Sequence, residues 1–314
     1  MDVLVVGSLA YDSLETPFGK KEDELGGSAS YGGFSASFHD SINNGNGIAI
    51  VGVVGNDFKQ EHIGWYKDAN LDISGLEIKD GLTFRWKGSY HGDMSQAVTH
   101  DTQLNVFETF NPVVPKTHCK PKILMCANLL PSIQASIIEQ TQPSRLTILD
   151  SMNLWIEISR EDLLNVIKKV EILILNDAEV KMLAGDENLI RASKKVLELS
   201  DGGILVVKKG EHGVIAFHPD GIVSIPSFPV ENLRDPTGCG DSFAGAMAQR
   251  LSGGEGELTL HELSESLVHA TVTASFTLEE FGTARLRELT RAEYQQRLEA
   301  YRMISRTSSL QYNQ

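Results

Sequence analysis

Residues 234–247 read RDPTGCGDSFAGAM. Two glycines flank a cysteine, an aspartate stands on either side, and small and apolar residues follow as a helix start would have them. A glycine-rich turn running into a helix leaves backbone N–H groups free at the positive end of the helix dipole, which suits a bound phosphate or carboxylate. The fixed carboxylate of Asp241 repels such an anion. The pairing makes sense if the acid works beside the anion. It would take the proton of an attacking hydroxyl while the N–H groups of Gly238, Cys239 and Gly240 hold a transferring phosphoryl group. A plainer role for Asp241 is to accept from free N–H groups in the first helical turn, and the rest of the chain has to decide between the two. Cys239 carries its own expectation, because a thiol at a helix N-terminus has a lowered pKa and reacts readily.

The standard nucleotide loops are absent. No Gly-Lys-Ser/Thr occurs anywhere, which removes the Walker loop, and VVGSLAYDS supplies Gly7 alone where a dinucleotide turn needs three glycines. Outward from the loop, short apolar runs rich in β-branched residues recur at 3–6, 48–54, 123–126, 146–149, 172–175 and 204–207, with helical segments between most of them. Strands buried on both faces look like this, so the fold class is α/β, a doubly wound, mostly parallel sheet flanked by helices. Ser159, Asn176 and Thr290, each followed three residues later by an acid, mark helix starts.

Two segments break that rhythm. Residues 82–107 alternate Phe84 and Trp86 with Arg85 and Lys87 and carry a Gly92-Asp93 turn, the pattern of a hairpin; residues 14–25 also hold turn residues and charge. Together they form a small β-sheet lid over the carboxyl ends of the core strands, where open α/β sheets bind ligands. The expected division is a core of 1–11, 27–81 and 110–304, a lid of 12–26 and 82–109, and a polar tail, 305–314, without fixed structure. An exposed lid face of Phe84, Trp86 and Tyr90 would be an apolar patch able to pair two copies into a homodimer.

Composition narrows the function. Lys plus Arg number 28 against 42 Asp plus Glu, a net charge of −14, so nucleic acid is a poor partner. No apolar run approaches the roughly 20 residues that span a bilayer, and the start has no basic leader, so the expected location is the cytoplasm without membrane contact. Three cysteines without a C-x-x-C pair, and histidines without ligand spacing, indicate neither disulfides nor zinc.

The loop does not stand alone. DPTGCGDSFAGA resembles the C-terminal signature of the ribokinase-like carbohydrate kinases, the PfkB family, usually D-T-x-G-A-G-D; Pro236 stands at the family's Thr position and Cys239 at its Ala. The other family motifs follow in order over about residues 2–285. They are Asp12 beyond the first strand, Gly26-Gly27 opening a helix, Asn176-x-x-Glu179 after a strand, and Gly210-x-x-Gly213 in VVKKGEHG.

The resemblance implies ATP-dependent phosphorylation of a primary hydroxyl. Asp241 would be the general base, with the anion hole at Gly238, Cys239 and Gly240. It implies acceptor contacts at Asp12, Gly26, Gly27, Ser28 and Tyr31, and ATP contacts at Asn176, Glu179, Lys208, Gly210, Gly213 and Gly282. Mg²⁺ would be held through water at Asn176 and Glu179, and a monovalent cation, K⁺, at Asp235 and Thr237. Tyr31 replaces an asparagine usual in ribokinases, and its ring, like Phe84 and Trp86, could stack on a base. The acceptor leans to a small sugar, with a nucleoside as the alternative. A sensor without turnover and a Rossmann oxidoreductase are the remaining readings, and the missing glycine fingerprint disfavours the second.

Overall fold

Each apolar run of the sequence is a strand of one sheet. The computed structural model describes residues 1–305, and the tail expected from 305 onward falls, apart from Ser305, outside them. In chain order the strands are β1 (Val3–Val6), β2 (Ala10–Thr16), β3 (Gly19–Gly26), β4 (Ile48–Gly55), β5 (Leu71–Lys79), β6 (Phe84–Tyr90), β7 (Ala97–Gln103), β8 (Ile123–Cys126), β9 (Leu146–Asp150), β10 (Ile172–Asn176), β11 (Ile204–Lys208), β12 (Val214–His218) and β13 (Gly221–Ile225). The main sheet runs β13-β12-β11-β10-β9-β8-β1-β4-β5 and is parallel from β11 to β5. The side chains of β1, β4 and β8 are buried on both faces, which is why they read as unbroken apolar runs.

Strand order reverses at β1: the chain leaves it towards β4 and β5, then returns on its other side through β8 to β11. Such a switch point opens a crevice at the carboxyl ends of the strands. Two helices deliver residues there, Ser28–Asn43 and Cys239–Ser252. They pack closely because Gly245 lies on Gly32; a Cβ on Gly245 would stand 2.1 Å from the Gly32 carbonyl oxygen. The expected caps hold at Asn176 and Thr290, where reciprocal capping boxes form. Ser159 differs. Its side chain caps nothing, since the preceding helix Asn153–Ile158 ends on the same residue and holds it in another conformation.

The segments that broke the rhythm make a second sheet of four strands, β3-β2-β6-β7. Its outer pairs are antiparallel hairpins, and its centre is parallel, with Asp12 opposite Trp86. The aromatic face does not lie open, in contrast to expectation. Phe84 stacks on Phe107 at 5.2 Å, Tyr90 is buried with Leu14, Met94 and Phe281, and Trp86 folds back over Gly88, where any Cβ would meet its ring. Of the three residues expected to form a lid-to-lid patch, Tyr90 is buried and Phe84 and Trp86 are half-buried.

Candidate active site

Asp241 lies in the first turn of the helix Cys239–Ser252, and the turn before it is built around glycine. Gly238 is in the left-handed region at φ 73°, and a Cβ there would stand 2.3 Å from the ring of Tyr31. Both the conformation and the space exclude a side chain. The N–H groups of Gly238 and Gly240 find no acceptor among the described residues. The N–H of Cys239 does: it closes a turn onto the Pro236 carbonyl at 3.2 Å. The donors available to an anion are thus Gly238 and Gly240, and Cys239 leaves the expected set.

Its thiol also departs from expectation. Sγ turns away from the loop and lies 3.6 Å from the Ala274 carbonyl oxygen, and burial pushes the thiol up to about 11, with the Lys208 charge pulling weakly the other way. Burial outweighs the helix dipole here. Cys239 is therefore expected to stay unmodified by a small maleimide at pH 7 while the protein is folded; rapid labelling of Cys239, read by peptide mass, would contradict this.

Asp241 is held well above the usual carboxylate range, to about 7. Burial is the first cause and the charge of Asp150 the second, with Lys208 opposing both. Lys208 ends β11 opposite Asn176, and its ammonium lies 3.1 Å from Asp150 Oδ1. Burial would lower Lys208, but Asp150, Glu179 and Asp241 outweigh it and hold the ammonium at about 12, so it is a permanent cation. Asn176 and Glu179 are first of all a helix cap: Asn176 Oδ1 accepts from the Glu179 N–H at 2.8 Å, and Glu179 Oε2 from the Asn176 N–H at 2.7 Å. Glu179 is nonetheless buried and raised to about 7 by that burial, with the Lys208 charge lowering it. Gly210 and Gly213 sit in the turn after β11 at φ 54° and 81°, where a Cβ on Gly213 would strike the Ile225 carbonyl.

The acceptor-side residues gather around Asp12. This carboxylate is buried against Gly26, whose missing Cβ leaves the space that Oδ2 fills, and it is backed by the Gly27 N–H. Gly27 needs its glycine as well: at φ 91° it brings the chain against the Ser8 carbonyl. Ser28 does not face the crevice freely but exchanges hydrogen bonds with Ser8 at 3.1 Å. Burial, then the charges of Asp235 and Asp241, raise Asp12 to about 8.

A linkage prediction follows. The folded value lies above the roughly 3.9 of an unfolded chain, so the folded state binds the extra proton. Stability therefore falls as pH rises from about 4 to about 8, by about 1.4 kcal/mol per unit. Asp12→Asn removes that slope. Urea unfolding at pH 5 and pH 8 should show the variant's advantage over wild type growing with pH; a constant difference would contradict the burial of this charge.

Two residues stand differently from expectation. Tyr31 is 1% exposed, with its ring against Gly238 and its hydroxyl unpartnered among Asp235, Asp12, Tyr90 and Asp241, so it cannot stack on a base. Gly282 lies on the acceptor side, its N–H 3.3 Å from Asp235 Oδ2 and its α-carbon beside Glu24. Asp235 also takes the Thr237 N–H at 2.9 Å. Two further residues join the site: Tyr90, read in the sequence only as part of an apolar patch, has its hydroxyl 3.3 Å from Thr237 Oγ1, and Asp150, which no motif marked, pairs with Lys208.

The geometry can be set beside known proteins. A cytidine kinase of Thermococcus kodakarensis is 29% identical over 263 residues, 81% of this chain and 90% of that one. Among solved structures, a nucleoside kinase of Methanocaldococcus jannaschii shares the fold at a TM-score of 0.75, 21% identical over 96% of this chain and 99% of that one. A putative ribokinase II of E. coli, in complex with ATP and Mg²⁺, matches at 0.74, 17% identical over 95% and 99%. The family described as pfkB family carbohydrate kinase matches residues 42–289, spanning both free N–H groups, Asp241, Lys208 and the Asn176–Glu179 cap, and the chain belongs to that family of kinases.

Proposed function

We propose that this kinase transfers the γ-phosphoryl group of ATP to the primary hydroxyl of a small neutral acceptor, with a ribonucleoside the first to test and a free sugar the second. The observation that carries the reading is Asp241. It is a buried carboxylate at the head of a helix whose leading N–H groups at Gly238 and Gly240 are free, with a lysine ammonium beside it. Phosphoryl transfer needs alignment and charge stabilisation more than covalent help. Gly238 and Gly240 would hold the transferring oxygens. Asp241, with a value near neutrality, is suited to take the hydroxyl proton. Asp12 would accept from or donate to the acceptor's hydroxyls.

The neutral charge of the acceptor follows from the same groups. Asp12 feels the charges of Asp235 and Asp241, so a phosphorylated sugar would meet three acids there. A nucleoside is favoured by Trp86, which shares a face with Asp12 and packs towards Leu14, Tyr90, Met94 and Phe281; the similarity to a cytidine kinase points the same way.

Mg²⁺ fits Asn176 and Glu179 through water. Both side chains are engaged in their cap, and among the described residues no group of three or more His, Cys, Asp or Glu forms a cage. When bound, the ion neutralises charge on the phosphates. A K⁺ ion would lie at Asp235 and Thr237; equal rates in sodium and potassium buffers would remove it. Residues 12–26 and 82–109 would act as a lid that keeps water from the phosphate.

The test is ADP release with MgATP across cytidine, other ribonucleosides, ribose, fructose and fructose 6-phosphate. Turnover with a neutral acceptor and none with the phosphorylated sugar is expected. Turnover with fructose 6-phosphate alone would overturn the assignment.

A further inference from the structure

Asp150 closes β9 and belongs to none of the motifs read in the sequence. Its buried carboxylate takes the Lys208 ammonium on both oxygens, at 3.1 Å and 3.4 Å. β9 and β11 are the two neighbours of β10, so the pair spans the carboxyl end of the strand that carries Asn176. On its other side the ammonium lies 2.9 Å from the place a Cβ on Gly240 would occupy. A side chain at 240 would displace the ammonium from its place against the first turn of the helix.

We propose that Asp150 is a positioning residue of the phosphotransfer site, holding the Lys208 ammonium against the anion loop so that the transferring phosphoryl group meets a fixed cation beside Gly238 and Gly240. The inference rests on the kinase reading above. An ammonium on a four-carbon stem has no preferred direction of its own, and a buried carboxylate supplies one. The pair is neutral as a unit, so Asp150 orients the cation without the repulsion a lone carboxylate would impose on a phosphate. Neither residue exchanges a proton in the reaction; both act on charge that develops on the oxygens.

The test is a double-mutant cycle of wild type, Asp150→Asn, Lys208→Met and the double variant, with two readouts. One is kcat. The other, by calorimetry and without any acceptor, is the affinity of the magnesium complex of imido-ATP relative to that of MgADP. Asp150→Asn is expected to lower kcat by about 10²-fold, to reduce the preference for the triphosphate as Lys208→Met does, and to add nothing in the Lys208→Met background. Losses that multiply in the double variant, or an unchanged triphosphate preference in Asp150→Asn, would overturn the inference. Removing one partner of a buried pair destabilises a protein, so melting is followed in parallel. If Asp150→Asn does not fold, Asp150→Glu takes its place, since a longer carboxylate moves the ammonium and the same readouts apply. A wild type that binds no nucleotide overturns the kinase reading and this inference together, whereas a working kinase with an additive cycle overturns this inference alone.

Discussion

Asp241→Asn is expected to lower kcat for acceptor-dependent ADP release by about 10²–10⁴-fold, the range for loss of a general base. Asparagine keeps the shape of the side chain and its place at the helix head, so the free N–H groups stay where they are. It also removes a buried charge that Asp150 repels and that adds to the load on Asp12. Nucleotide affinity should therefore hold or rise, and the melting temperature should rise. That combination separates lost chemistry from lost structure. A variant that keeps more than a tenth of wild-type kcat would show that the base lies elsewhere.

The second large effect is expected at Gly238. Alanine there meets two penalties, a left-handed backbone that costs about 1–2 kcal/mol and a Cβ 2.3 Å from the Tyr31 ring. The ring is buried, so the loop has to move, and a displacement of about 1 Å at a reacting centre costs on the order of 10²-fold. Gly238→Ala should lose about 10²–10³-fold in kcat together with part of its stability. Gly185→Ala is the control: its φ is 62°, with nothing within 4 Å of the added carbon, so it carries the backbone strain alone and should leave kcat unchanged. Equal kcat losses in Gly185→Ala and Gly238→Ala, measured at saturating MgATP, would argue against a precise anion loop.

Much of this site could be read from the chain because local rules determine it. The strand runs are buried on both faces, and glycine is required wherever φ is positive or a neighbour fills the Cβ position, as at Gly27, Gly213 and Gly238. What sequence could not supply depends on partners distant in the chain. Cys239 was expected to be reactive from its helix position, but its sulfur lies against the Ala274 carbonyl, 35 residues on. Tyr31 was expected to stack on a base, but its ring is taken up by Gly238. Asp150 matches no motif, and only the parallel register of β9, β10 and β11 brings it to Lys208. Ser159 had a capping pattern that two abutting helices leave no room to use. The strands of the second sheet were legible from alternation and turn residues, whereas the fate of their aromatic side chains was not, since Phe107 and Gly88 decide it.

The most direct measurement follows the phosphoryl group itself. Wild-type protein is incubated with ATP labelled in the γ-phosphate, Mg²⁺ and cytidine or ribose, in parallel with the same acceptors lacking the primary hydroxyl. Label is expected on the primary hydroxyl, with one ADP formed per label transferred and no reaction with the deoxy analogues. Label on a secondary hydroxyl, or ADP released at the same rate with no acceptor present, would contradict the placement of Asp241 as the base for a primary alcohol.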